Sequence, residues 1–343
     1  MRILLVLALF LPVGHPTWGQ SLPVEAQSAL RRGEAALGRR DFPAAVEALE
    51  QAYKLAPDRP EVVRPLLLAY LQAGQLGTAV RLGRDATAHW PQDSEVHHWL
   101  GLAYFKSGHN AEAQEELQRA ESLDRANFAT HFDLALVLLT MQDYLAASHQ
   151  LERALEFQPS DALAHLLLGR AYQNTNRSED AIHQFRASLR IDPNVPLGHY
   201  HLGFAYESVG QNRDALAEYQ IEVTRSPGNA LVRYQFGHCL LEAGDLKSAV
   251  PQLERATELD SQNSDAFYEL GKAALLAGDA NKAIAALQRS AKLKPNDPSP
   301  HYQLARALKQ SGNKEEAEVE RQRFLELKKS QPVIGGMATG RTQ

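Results

Sequence analysis

Residues 94–127 read SEVHHWLGLAYFKSGHNAEAQEELQRAESLDRAN, and residues 128–161 read FATHFDLALVLLTMQDYLAASHQLERALEFQPSD. The two stretches share one plan, with alanine at the twentieth position of each, Ala113 and Ala147. The period of 34 extends in both directions, so repeats can be numbered from Ala26, Pro60, Ser94, Phe128, Ala162, Pro196, Ala230, Ser264 and Pro298. Position 20 is then alanine in all nine: Ala45, Ala79, Ala113, Ala147, Ala181, Ala215, Ala249, Ala283 and Ala317. No insertion or deletion breaks the register, and such a period marks a repeat architecture.

Other columns give the period a structure. Position 15 is glycine in six repeats, from Gly74 to Gly312, which suits a residue that ends a first helix with left-handed backbone angles. Position 32 is proline in six repeats, including Pro91 and Pro159, where a second helix must stop. Asp93, Asn127, Asp161, Asn229, Asn263 and Asp297 at position 34 are N-caps for the helix that follows. Pro60, Pro196 and Pro298 stand at position 1, where a first-turn proline is tolerated. Small residues at positions 8, 10 and 20 let two helices approach closely. Positions 4, 7, 8 and 11 form one stripe, as in His97, Leu100, Gly101 and Tyr104, that only stacked neighbours can bury.

The set Leu100-Gly101, Tyr104, Gly108, Ala113, Leu117 and Ala120 resembles the tetratricopeptide repeat, as does Leu168-Gly169, Tyr172, Ala181, Phe185 and Pro193. The resemblance runs from Ala26 to about residue 331. It implies an all-α fold, a right-handed superhelical α-solenoid of nine helix-turn-helix repeats over 26–59, 60–93, 94–127, 128–161, 162–195, 196–229, 230–263, 264–297 and 298–331. At ~10 Å between packed helices, nine such repeats span roughly 80–90 Å along their contour. Departures are few. Arg125 and Ser261 replace the position-32 proline, Glu222 and Phe324 replace the small residue of position 27, and Pro65 and Pro251 are expected to kink or delay their helices. The polar second helix of the last repeat, Lys314 to Lys328, reads as a solvating cap, and Pro332 to Gln343 as a disordered tail.

The resemblance also implies that first-helix positions 2, 5, 9 and 12 look into a concave groove. In the middle of the chain these are mostly apolar: Leu102, Phe105, Phe132, Leu136 and Leu139. Towards the C-terminus, position 5 gives a ladder of Tyr200, Tyr234, Tyr268 and Tyr302, joined by Arg170, Phe204, Lys272 and Arg306. Tyrosine and arginine of this kind carry binding energy at interfaces. The groove is expected to take an extended protein segment with apolar side chains and some negative charge. The ladder has a second reading, in which its tyrosines fill the wall between neighbouring helices. The lysine–asparagine pair with which some relatives clamp acidic chaperone C-termini is absent from positions 5 and 9.

Composition narrows the function classes. Net charge is −5 with no basic block, which argues against nucleic acid as a partner. Met1-Arg2, the apolar run Ile3–Val13 and Thr17-Trp18-Gly19 have the order of a secretory signal peptide over 1–19, followed by a short linker over 20–25. An uncleaved anchor is the alternative, although the run is shorter than the ~20 residues a spanning helix needs. The expected location is therefore periplasmic or secreted, with no transmembrane segment in the mature chain. Cys239 is the only cysteine, so an internal disulfide is impossible.

Sharper chemistry loses to packing. His97, His131, His165, His199 and His301 recur at position 4, but equivalent residues ~10 Å apart cannot share an ion whose ligands sit at ~2 Å. These histidines are expected to be packed and hydrogen-bonded, and Cys239 occupies a column of small core residues. No phosphate-cradling loop, metal site or cofactor motif appears, and no chain is left over for a catalytic domain. The function expected is a non-enzymatic protein-interaction scaffold. The alternatives are a structural component of an envelope assembly, acting through its convex face or its ends, and a glycan- or lipid-binding module.

Overall fold

Why the chain alternates helix and turn is visible at its shortest connections. The nine residues at position 15 all adopt positive φ, six as glycine and three as Arg40 (φ 60), Gln142 (φ 63) and Asn176 (φ 59). The turn is thus imposed by the two helices it joins, and glycine merely makes it cheap. All six position-34 residues accept a backbone N–H of the next helix, as Asp93 does from Val96 and Asn127 from Thr130.

The structure, a computed structural model, describes residues 21–330; the expected leader and tail lie outside them. The described residues form eighteen α-helices and no strand. Contacts divide the chain into two units, parting after Met141. In the first unit lie α1 (Val24–Gly38), α2 (Phe42–Leu55), α3 (Pro60–Gln72), α4 (Leu76–His89), α5 (Ser94–Lys106), α6 (Asn110–Leu123) and α7 (Phe128–Thr140). The second unit begins with α8 (Tyr144–Phe157), α9 (Ala162–Asn174), α10 (Ser178–Ile191), α11 (Gly198–Ser208), α12 (Asn212–Arg225) and α13 (Ala230–Glu242). It ends with α14 (Leu246–Leu259), α15 (Ser264–Leu276), α16 (Ala280–Leu293), α17 (Pro298–Gln310) and α18 (Lys314–Ser330).

Within each unit a helix packs on its successor, and first helices of consecutive repeats also touch, as α3 does α5 and α13 does α15. The position-20 alanines sit at the tightest places: eight of the nine have no exposed surface. Large side chains from second helices fill the space beside them, among them Leu49 and Leu117 in the first unit and Phe185, Tyr219, Leu253 and Leu287 in the second. A Cβ on Gly101 would lie 2.7 Å from Leu117, and one on Gly203 would lie 2.9 Å from the Tyr219 ring. In the second repeat the sizes are exchanged. Leu67 stands at position 8, fully buried, and Gly83 stands at position 24, with Leu100 of α5 packed over it so that a Cβ would come within 2.9 Å.

Several expectations are corrected. Pro196 does not open its helix: Leu197 takes φ 61 and α11 starts only at Gly198. There the chain turns so tightly that a Cβ on Gly198 would sit 2.5 Å from Val195 and 2.8 Å from Leu189. Pro65 and Pro251 do not delay α3 and α14, which start at Pro60 and Leu246 and run on past them. Each proline is the sixth residue of its helix and forfeits one bond near the N-terminus. α1 opens at Val24, so part of the linker expected up to residue 25 is helical.

Candidate functional site

Positions 2, 5, 9 and 12 lie on one side of each first helix, and their neighbours decide which remain available. In the first unit Leu102 does not: it is buried in the core cluster with Leu66 and Leu71. Phe105, Phe132, Leu136 and Leu139 are half-buried. Phe132 stacks on Phe128 one turn earlier, ring centroids 5.5 Å apart. The polar residues on this side are bound internally. Arg64 donates to Asp93 at 2.7 Å, while His98 reaches the Thr130 hydroxyl at 2.9 Å and Asp133 at 3.2 Å.

In the second unit the tyrosine column is graded. Tyr200 lies half-buried between Tyr219, 6.2 Å away, and Phe204, 6.4 Å away. Tyr234 stacks on His238 at 6.4 Å, and its hydroxyl is pushed up to about 12 by burial and by Glu269. Tyr268 packs against the core cluster of Leu275, Leu287 and Leu304. Tyr302 keeps 49 % of its surface exposed, with Phe324 beside it and the Arg306 guanidinium 6.0 Å from its ring centre. Phe204 is 39 % exposed, and Arg170 and Arg306 are exposed as well. The inner rungs of the ladder therefore contribute to the wall between helices, whereas Phe204 and Tyr302 stand clear of it.

Lys272 differs from its sequence reading. It pairs with Glu242 at 2.9 Å and Glu269 at 3.5 Å, and although burial opposes its charge the two carboxylates hold its pKa above the ordinary value. It is not a free cation for an acidic partner.

Beside Lys272 is a polar network that the period did not reveal. Glu207 accepts a hydrogen bond at 2.8 Å from the fully buried Tyr219 hydroxyl and another at 2.8 Å from Gln235. His238 lies 3.8 Å from Glu207 and 3.7 Å from Glu269. One signal was present: Tyr219 fills a column otherwise held by leucine or phenylalanine in most repeats, and a buried tyrosine hydroxyl needs a partner.

Cys239 and the position-4 histidines are engaged in packing and hydrogen bonds. Cys239 is buried at 1 % exposure, and burial pushes its thiol up to about 11. The position-4 histidines are hydrogen-bonded: His97 to Glu116, His165 to Gln184, His199 to Glu218 and His301 to Glu320. Among the described residues no group of three potential ligands is placed to hold a metal, and no helix is long and apolar enough to cross a membrane.

Models of the tetratricopeptide repeat match residues 199–330, residues 30–94 and 132–196, and residues 70–135. The chain belongs to the tetratricopeptide repeat family. A curated relative, the small glutamine-rich tetratricopeptide repeat-containing protein 2 of Mycosarcoma maydis, is 30 % identical over 103 residues. That match takes in 30 % of this chain and spans only 29 % of the relative's length. Among solved structures, the Cut9–Hcn1 hetero-tetramer of APC/C aligns with a TM-score of 0.54 at 16 % identity, covering 82 % of this chain and 55 % of that one. YrrB, described as a tetratricopeptide repeat protein with an unusual peptide-binding site, is 25 % identical, with a TM-score of 0.48 over 55 % of this chain and 96 % of its own. The tetratricopeptide repeat is a fold of protein-interaction scaffolds, which in general are not catalysts.

Proposed function

We propose that this tetratricopeptide repeat chain is a non-enzymatic scaffold, built of nine repeats over 26–331, that holds an extended segment of a partner protein outside the cytoplasm. The segment lies along the first-helix face. One observation carries the reading: on that face of the second unit, Phe204 and Tyr302 remain 39 % and 49 % exposed, and Arg170 and Arg306 at position 9 are exposed as well, Arg306 beside the Tyr302 ring. Aromatic and arginine side chains offered to solvent together are the residues that anchor protein interfaces. Phe105, Phe132, Leu136 and Leu139 are the corresponding candidates in the first unit, and Tyr200, Tyr234 and Tyr268 back the contact surface in the second. Export rests on the order of charge, apolar run and small residues over Met1–Gly19.

The test is site-specific photocrosslinking in envelope extract, with the photoreactive residue at 204, at 302, or at the second-helix residue Leu145, which is 70 % exposed. One partner protein crosslinked from 204 and 302 but not from 145 is the expected result. Crosslinks from 145 alone would move the interaction to the other face and favour a structural role. N-terminal sequencing of the exported chain should begin at Gln20, and retention in the cytoplasm would refute the proposed location.

A further inference from the structure

We propose that Glu207, Glu242 and Glu269 form a seat for a basic side chain, lysine or arginine, of the bound segment. This deepens the scaffold reading and rests on it.

The three carboxylates come from successive first helices, α11, α13 and α15, and they gather around His238 and Lys272 on the proposed face. Glu207 spends one oxygen on Tyr219 and Gln235, at 2.8 Å each, and turns the other towards His238 Nε2 at 3.8 Å. Glu269 is only 8 % exposed, and its Oε2 accepts no hydrogen bond, with Lys272 Nζ 3.5 Å away as an ion-pair partner. The buried Nδ1 of His238 also has no hydrogen-bond partner and stands 3.7 Å from Glu269 Oε1. A buried carboxylate oxygen and a buried ring nitrogen thus face one cluster with bonding capacity unused, which is costly unless something supplies it.

Charge identifies what would. Lys272 is one positive charge shared between Glu242 and Glu269, against three carboxylates, so negative charge is in excess whether His238 is neutral or protonated. Arg233 on α13 cannot help, because it donates to the Pro227 carbonyl and to Gln252. The cluster opens to solvent through Glu242, whose side chain is 52 % exposed, and through His238 at 29 %. An ammonium or guanidinium entering there meets acceptors only partly satisfied, and charge-assisted bonds of that kind are the strong ones. The acidic segment suggested by the sequence would instead meet repulsion. Protonation of His238 adds a positive charge among Glu207, Glu242, Glu269 and Lys272 and competes with the guest. The neighbouring carboxylates, Glu269 foremost, raise its pKa against the opposing effect of burial, so acid weakens the seat.

A display library of random short peptides, selected on the purified chain, tests this. Lysine or arginine should be enriched at one fixed spacing from the apolar positions. Norleucine in its place should weaken binding about tenfold, and that loss should vanish on the Glu207→Gln/Glu269→Gln variant, whose melting curve checks that it is folded. Peptides that lose binding on Phe204→Ala/Tyr302→Ala but carry no enriched base would overturn the seat and leave the scaffold reading standing. Equal norleucine losses on the chain and on the double glutamine variant would do the same. Failure to select any peptide, or indifference to the Phe204/Tyr302 variant, would overturn both.

Discussion

His97 Nδ1 lies 2.6 Å from Glu116 Oε2, and the same distance joins His199 to Glu218 and His301 to Glu320. The other ring nitrogen of His97 reaches back to the Pro91 carbonyl, as that of His165 does to Pro159. Arg233 performs both tasks in its own repeat, with Gln252 and the Pro227 carbonyl. Position 4 therefore ties the second helix of its repeat to the loop that precedes it. Where position 4 is apolar, so is its partner column: Ala29 with Ala48, Val63 with Leu82, Phe267 with Ala286.

Breaking one such pair should be costly and replacing both members mild. Glu116→Ala strands the 7 %-exposed His97 and is expected to cost about 1–3 kcal/mol. His97→Val with Glu116→Leu copies the Val63–Leu82 combination and should recover most of it. Urea denaturation of the two variants decides; equal losses would mean that the polar pair is not what the column is for.

Helix contact and turn geometry give opposite signs for two glycine exchanges. Gly203→Ala pushes a methyl to 2.9 Å from the Tyr219 ring and 3.2 Å from the Ala215 carbonyl, for an expected loss of about 1–3 kcal/mol. Gln142→Gly relieves an exposed side chain held at φ 63 and should raise stability by up to about 1 kcal/mol. Thermal melts that rank the two the other way would contradict the packing described.

Acid should weaken the fold through His201. Burial against the Phe185 ring, 5.6 Å between centroids, and the nearby charge of Arg170 take its pKa from 6.5 down to about 4. The unfolded chain takes up this proton first, so the contribution is whole above the unfolded value and is lost as pH falls towards the folded one. The loss is on the order of 3 kcal/mol. His201→Phe should remove that part of the pH dependence, measured as the difference in melting temperature between about pH 7 and about pH 5.

Cys239 should resist alkylation in the folded chain and react once denatured, since its thiol is buried and little ionised at neutral pH. Rapid native modification, followed by mass spectrometry, would show that α13 opens far more readily than its packing implies.

How much of this was legible depends on which residues carry the information. The period placed helices because caps, prolines and position-15 glycines act locally, each on its own turn. It failed at Pro196, where proline is compatible with a first turn but the corner closing on Val195 and Leu189 holds Leu197 outside the helix. For the site, the period assigns each side chain an angle around its helix but says nothing of the reach of its neighbours. The period alone thus puts Leu102 on the face although it lies in the core, and puts Lys272 there without showing the carboxylates that pair with it. The Glu207–Tyr219 bond joins columns 12 residues apart that no helical stripe connects.

The exchange of Leu67 for Gly83 makes the second repeat a matched set. A chimaera joining α3 to another repeat's second helix would set leucine against leucine, while one joining α4 to a glycine-bearing first helix would leave a void. The second repeat's two helices therefore fit each other, and Leu100 of α5, but not the pattern that Gly101 and Leu117 or Gly237 and Leu253 follow. Duplication and shuffling of such a chain can therefore transmit this hairpin intact, but not α3 or α4 singly.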